Sequence, residues 1–153
     1  MSIFPTKILL ATDGSKEAQL AARTAAELAK GTNSELHLVC VEHTPAMFYE
    51  LPGTIVDPAM QSRMEECAEE ATKTKLEEQA QQLRDAGIEV AGVHAREGFP
   101  DEEIVGLAGK LSAGLIVIGS RGREPLRRAL LGSVSDSVVR HAHCPVLVVR
   151  PEK

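Results

Sequence analysis

Aromatic residues make up only 3% of the chain, with one Tyr, three Phe and no Trp. A core must therefore come from Val, Ile, Leu and Ala, and stacking platforms for single-stranded nucleic acid are not expected. The three cysteines, Cys40, Cys67 and Cys144, are odd in number, far apart and without a CxxC pair. That excludes a disulfide framework and lacks zinc-ligand spacing, so they read as reduced, mostly buried small hydrophobes. No window approaches the roughly 18 apolar residues of a membrane span. Met1 to Lys7 contains no basic run followed by a long apolar stretch, so a cytoplasmic location is expected. Nor is there a positive excess: 17 basic residues face 22 acidic ones, a net charge of −5. Such a field repels a phosphate backbone, so no nucleic-acid partner is expected.

The 153 residues are 43% hydrophobic and 25% charged, the balance of one globular domain spanning 1–153. Lys7 to Thr12 is a short apolar run closed by Asp13-Gly14-Ser15, a strand and a turn. Ser15 is placed to cap a helix in which Leu20, Thr24, Ala25 and Leu28 recur at helical spacing, with Gly31 as its stop. Glu35 to Val41 reads as the second strand. His43 to Pro58 holds three prolines and reads as a long loop. A polar helix follows from Ala59 to Ala86, with Met60, Met64, Cys67, Ala68 and Ala71 on one face, continued by Leu76, Ala80 and Leu83, and Gly87 as its stop. The pattern then predicts a strand over Ile88 to Ala95, a helix from Pro100 to Leu111, and a strand over Leu115 to Ile118. A helix over Ser133 to His141 and a strand over Pro145 to Val149 complete it. Strands alternating with helices require crossovers, hence α/β: a doubly wound, five-stranded parallel sheet with helices on both faces.

Ligands of such sheets bind beyond the carboxyl ends of the strands, where strand order reverses. With order 3-2-1-4-5 that crevice lies between the first and fourth strands. Thr12-Asp13-Gly14 and Gly119-Ser120-Arg121-Gly122 converge there. The second turn continues as Gly119-x2-Gly122-x9-Gly132-Ser133, with Val134 and Ser135 opening a helix. Glycines let the backbone approach an anion, and a helix N-terminus offers free N–H groups and a favourable dipole. Ser133 and Ser135 add hydroxyls. From Gly119 to Arg140, Arg121, Arg123, Arg127, Arg128 and Arg140 oppose Glu124 and Asp136, a local +3 within a chain of −5. The pattern suits a polyphosphate, though turn glycines and capping serines need no ligand. The chain lacks G-x-x-x-x-G-K-[ST], G-x-G-x-x-G and G-x-S-x-G. His141-x-His143-Cys144 invites a metal, but a strand begins at Pro145 and no carboxylate completes the set; no protein-held metal is expected. His37, His43 and His94 look scattered.

The glycine pattern resembles the nucleotide-binding motif of the universal stress protein family, in its ATP-binding branch. KILLATDGS, Gly98-Phe99-Pro100, LIVIGSRG, LLGSVS and CPVLVVRP are similar to that family in register along essentially the whole chain. The resemblance implies an adenine nucleotide alpha hydrolase-like, Rossmann-like fold and a bound ATP, with ADP or AMP as alternatives, and magnesium as counter-ion. Asp13 would meet the ribose or a magnesium-bridged phosphate, unless it only caps the following helix. Ala11 and Thr12 would flank the base, and Val41 would bond adenine through its backbone. Gly119 would approach the ribose, while Gly122, Gly132, Ser133 and Val134 would hold phosphates. Ser120 belongs to the same turn, and contacts from Arg121 and Arg123 follow from charge. The implied protein is a stress-response regulator with an unnamed regulatory partner. It would be a homodimer through its last strand, with Val146 and Val148 in the interface. The alternatives are a slow ATPase, although no residue stands out as the base that orients water, and an interaction module with incidental nucleotide.

Overall fold

The computed structural model describes residues 2–42, 57–121 and 131–151. Among these, β1 is Lys7–Ala11, α1 Lys16–Thr32, β2 Glu35–Glu42, α2 Pro58–Asp85 and β3 Val90–Glu97. Then come α3 Pro100–Leu111, β4 Leu115–Gly119, α4 Ser133–His141 and β5 Val146–Val149. The five strands form one sheet in the expected order, β3-β2-β1-β4-β5, and every pairing is parallel.

Alternate residues of the central strands feed two cores, one on each face. Ile8, Leu10, Leu36, Leu38, Leu115 and Val117 meet α1 and the C-terminal half of α2. Leu9, Val39, Ile116 and Ile118 meet Ile104 and Leu107 of α3 and Val138 of α4. The buried stripe of α1 is Ala18, Ala21, Ala22, Ala25, Ala26 and Ala29; Leu20, Thr24 and Leu28, expected to mark it, sit on its flanks, half-buried. Alanine brings the helix close to the sheet and carries the best intrinsic helix propensity.

Three helices end on a left-handed residue, but glycine supplies only one. Gly87, at φ 85°, ends α2, its N–H and that of Ile88 donating to Arg84 and Leu83. Helix α1 runs past Gly31, the expected stop, and ends at Asn33 with φ 56°; Ser112 does the same for α3 at φ 55°. In both, the residue after the left-handed one donates back into the last turn, Ser34 to Ala29 and Ala113 to Ala108, each at 2.9 Å. Strand β3 begins at Val90 rather than Ile88, because Ile88 is committed to closing α2.

The expected apolar stripe of α2 is only half used. Thr72, Leu76 and Ala80 are buried, whereas Met60 and Met64 are 61% and 55% exposed, and Cys67, Ala68 and Ala71 are also exposed. The cause is length: 28 residues of helix reach about 42 Å, against about 27 Å for an eight-residue strand. The reading of Cys67 as buried is thereby corrected; Cys40 and Cys144 are half-buried, and burial pushes the Cys144 thiol pKa up. Of the expected loop His43 to Pro58, residues 43–56 lie outside the described residues, while Asp57 caps α2 and Pro58 opens it.

Candidate functional site

Beyond the carboxyl ends of β1, β2 and β4 lies a cavity of about 330 Å³, within the usual range for small-molecule sites. Its floor is the turn after β1. Gly14 takes φ 79°, the Asp13 carboxylate accepts from the Ser15 N–H at 2.9 Å, and the Ser15 hydroxyl accepts from Ala18 at 3.1 Å to cap α1. The cap is therefore Ser15, and Asp13 shapes the turn before it. Beside it, Thr12 is 8% exposed, and its hydroxyl is without a hydrogen-bond partner among the described residues. A buried hydroxyl in that state costs about 1–3 kcal/mol, and this one lines the cavity.

The second wall is the end of β2. Val41 and Glu42 line the cavity, and Glu42 is positioned from α2: the buried Thr72 hydroxyl donates to its carboxylate at 2.6 Å. Its carbonyl accepts from the Gly98 N–H at 3.1 Å, which anchors the turn leading to α3.

The third wall joins β4 to α4. A Cβ on Gly119 would stand 3.0 Å from the Glu17 Cβ and 3.1 Å from its carbonyl carbon, so this glycine lets α1 pack against the end of β4. Ser120 is buried and does not line the cavity; it braces the wall instead. Its carbonyl accepts from the Gly132 N–H at 2.7 Å and from the Ser135 hydroxyl at 2.9 Å. Two expectations are corrected here. The Gly132 amide is not free, and the Ser135 hydroxyl, which also donates to the Gly132 carbonyl at 3.0 Å, ties α4 to β4 rather than pointing outward as a ligand donor. The N-cap of α4 is Gly132, which has no side chain to cap it, and the residues of its first turn, Ser133 to Ser135, whose N–H groups have no intrahelical partner, line the cavity.

Ala11, Thr12, Asp13, Val41, Gly119, Arg121, Gly132, Ser133, Val134 and Ser135 thus come together around one cavity. Gly122 and Arg123 lie outside the described residues, as do Arg127 and Arg128 that the positive patch needs. The described lining holds two carboxylates, Asp13 and Glu42, and one arginine, Arg121. Sequence reasoning missed Glu42, Pro100, Ile104 and Ile118 in the lining; Glu42 directly follows Val41 and could have been found by carrying β2 one residue further. The Thr12 hydroxyl, unpartnered among the described residues, and the first-turn amides of α4 fit a ligand with hydrogen-bonding groups at one end and an anion at the other. Helix α3 also points its N-terminus this way, but Asp101, Glu102 and Glu103 occupy its first turn, which disfavours an anion there.

Two histidines that look scattered in the sequence meet. His37 Nδ1 lies 3.3 Å from His94 Nε2, and burial, followed by His37 and Arg96, holds the His94 pKa below its ordinary value. No helix among the described residues is long and apolar enough to cross a membrane.

A family model described as the universal stress protein family matches residues 5–150. A universal stress protein of Methanocaldococcus jannaschii is 37% identical over 147 residues, covering 96% of this chain and 83% of its own length. Among solved structures, a hypothetical protein studied as a structural-genomics test case of function assignment superposes with a TM-score of 0.83 at 28% identity, covering 99% of each chain. At 22% identity, a universal stress protein solved in complex with cAMP has a TM-score of 0.65, covering 95% of this chain and 97% of its own. An Arabidopsis thaliana family member with AMP bound has a TM-score of 0.68 at 20% identity, covering 97% and 93%; these two share the fold.

Proposed function

Because the chain belongs to the universal stress protein family, we propose that it binds an adenine nucleotide, ATP in the first instance, and acts as a dimeric, cytoplasmic, nucleotide-dependent regulator of the stress response. The observation that carries this reading is one cavity lined both by Thr12, whose buried hydroxyl has no partner among the described residues, and by the first turn of α4, whose N-cap is a glycine. The fold accommodates adenine nucleotides in the relatives solved with cAMP and AMP.

In this reading the Val41 backbone and the Thr12 hydroxyl hold the base end. The Ser133 and Val134 amides hold phosphate at the positive end of the α4 dipole. Asp13 stands where the carboxylate meets the ribose or a magnesium ion on the phosphates; bound magnesium would neutralise phosphate charge beside that carboxylate. The bracing of Gly132 and Ser135 by the Ser120 carbonyl makes the phosphate end rigid before ligand arrives, which lowers the entropic cost of binding. Arg121, which lines the cavity, would add positive charge beside the phosphates; Gly122 and Arg123, to which the sequence also gives phosphate contacts, lie outside the described residues.

The test is denaturing extraction of the freshly purified protein with chromatography of what is released, followed by titration calorimetry with Mg-ATP. Stoichiometric ATP supports the regulator; ADP favours slow hydrolysis. Folded wild-type protein that carries no nucleotide and binds no Mg-ATP overturns the assignment. Asp13→Ala is expected to weaken binding about tenfold, the loss of roughly one charge-assisted contact.

A further inference from the structure

From the pairing of β2 with β3, we propose that His37 and His94 form a two-imidazole site for a late divalent transition metal ion such as Zn²⁺ or Cu²⁺, its ring approach permitted by Gly92 and its His37 oriented by Glu35. The inference is independent of the nucleotide reading. His37 stands four residues before Val41, about 13 Å along the strand, so the two sites do not share a ligand.

Three observations support it. His37 Nδ1 and His94 Nε2 are 3.3 Å apart, and the rings lie 24° from parallel. Two nitrogens bound at about 2.0–2.1 Å to a tetrahedral ion stand about 3.3–3.4 Å from each other, so the pair already has the bite of a chelate. Second, the two nitrogens can meet over this point of β3 because residue 92 has no side chain. A Cβ on Gly92 would stand 2.7 Å from His37 Nδ1 and 2.9 Å from His94 Nε2. The register shift between Leu36 and His37 sets Gly92 opposite His37 and leaves His94 opposite Val39. Third, the other ring nitrogen of His37 faces the Glu35 carboxylate at 3.4 Å. A carboxylate there keeps the proton on Nε2 and leaves the Nδ1 lone pair for a metal, the usual arrangement behind a ligating imidazole.

Without metal, His94 Nε2–H donates to the His37 Nδ1 lone pair. With metal, that proton moves to Nδ1 of His94 and both facing nitrogens become ligands; no redox partner is needed. No third His, Cys, Asp or Glu completes a cluster among the described residues. Because β3 is the edge of the sheet among the described residues, solvent can fill the remaining positions. Imidazole donors select zinc, copper or nickel over magnesium, which keeps this site chemically separate from any phosphate-bound ion.

The experiment is calorimetric titration of the metal-free protein with Zn²⁺, with Cu²⁺ electron paramagnetic resonance as a second readout. One ion per chain is expected, with nitrogen hyperfine structure from two imidazoles. H94Q should lower affinity at least about tenfold and leave one nitrogen at most, and Glu35→Gln should weaken binding about 10–100-fold. Gly92→Ala should abolish binding by pushing the two rings apart. His141→Ala, a surface change elsewhere, should leave binding intact, and circular dichroism confirms that each variant is folded. No saturable binding by the wild type overturns the proposal. So does binding that survives in folded H94Q, or that disappears in His141→Ala.

Discussion

Thr12 is the residue at which stability and binding separate most clearly. Its backbone N–H continues the β1–β2 ladder by donating to the Val39 carbonyl at 2.9 Å, while its hydroxyl is buried without a partner among the described residues. Replacing an unsatisfied buried hydroxyl with a methyl of the same shape removes a desolvation cost. Thr12→Val should therefore stabilise the nucleotide-free protein by about 1 kcal/mol while weakening nucleotide binding about five- to tenfold. Urea denaturation and calorimetry on the same variant check both signs; a variant that is less stable and binds equally well would show that the hydroxyl serves the fold. The family likeness names Thr12, but neither the state of its hydroxyl nor the partner of His37 can be read from the sequence. A buried hydroxyl with no partner, like a pair of imidazoles 57 positions apart in the chain, exists only once strands have been paired.

At the scale of elements, α3 and α4 are joined by a contact that makes a pH-dependent prediction. The Ser137 hydroxyl donates to the Asp101 carboxylate at 2.6 Å, and that hydrogen bond is the main cause holding the Asp101 pKa below its ordinary value. A carboxyl whose pKa is depressed on folding adds stability that is fully present above its unfolded value, about 3.9, and is lost as pH falls through the folded value. Ser137→Ala should raise the Asp101 pKa toward that unfolded value, as read by carboxyl NMR titration, and move acid unfolding to higher pH. At neutral pH the loss should be about 1 kcal/mol or less, because the pair is only partly buried. The helix ends show why boundaries were harder to place than elements. Gly31 and Gly109 sit inside helices with open space where a Cβ would be, and the left-handed positions went to Asn33 and Ser112. Asparagine tolerates that conformation because its short polar side chain bonds locally. Which residue takes it depends on where the next strand must begin.

At the scale of the whole molecule, β5 closes the sheet at one end, paired only with β4 among the described residues. Val146 and Val148 pack toward the α3–α4 core, and Leu147 and Val149 toward the α1 core, yet all four are only half-buried. A half-buried apolar edge strand is a template for a second copy. The proposed dimer predicts that the wild type sediments as a dimer, and that Val148→Lys sediments as a monomer with unchanged circular dichroism. A monomeric wild type at the same concentration would remove this strand as the interface. The exposed half of α2 offers Met60 and Met64 to solvent, a result of a helix longer than the strands beneath it.

The alternation of short apolar runs with helical periods is a local property, and it was enough to determine the fold class and the residues that sit at the strand ends. The strand order 3-2-1-4-5 entered as a premise, and the pairing of strands bears it out. The glycine–serine pattern from 119 to 135 likewise pointed to one end of the sheet, because turn chemistry and helix starts are written within a few residues of each other. What the tertiary structure decided is how individual polar groups are spent. The Gly132 amide and the Ser135 hydroxyl, which look like ligand donors in a linear motif, are consumed by the Ser120 carbonyl. Glu42 enters the cavity because Thr72, thirty residues away, holds it there. A linear pattern encodes where a donor lies along the chain, whereas its availability depends on the partner that folding brings within 3 Å.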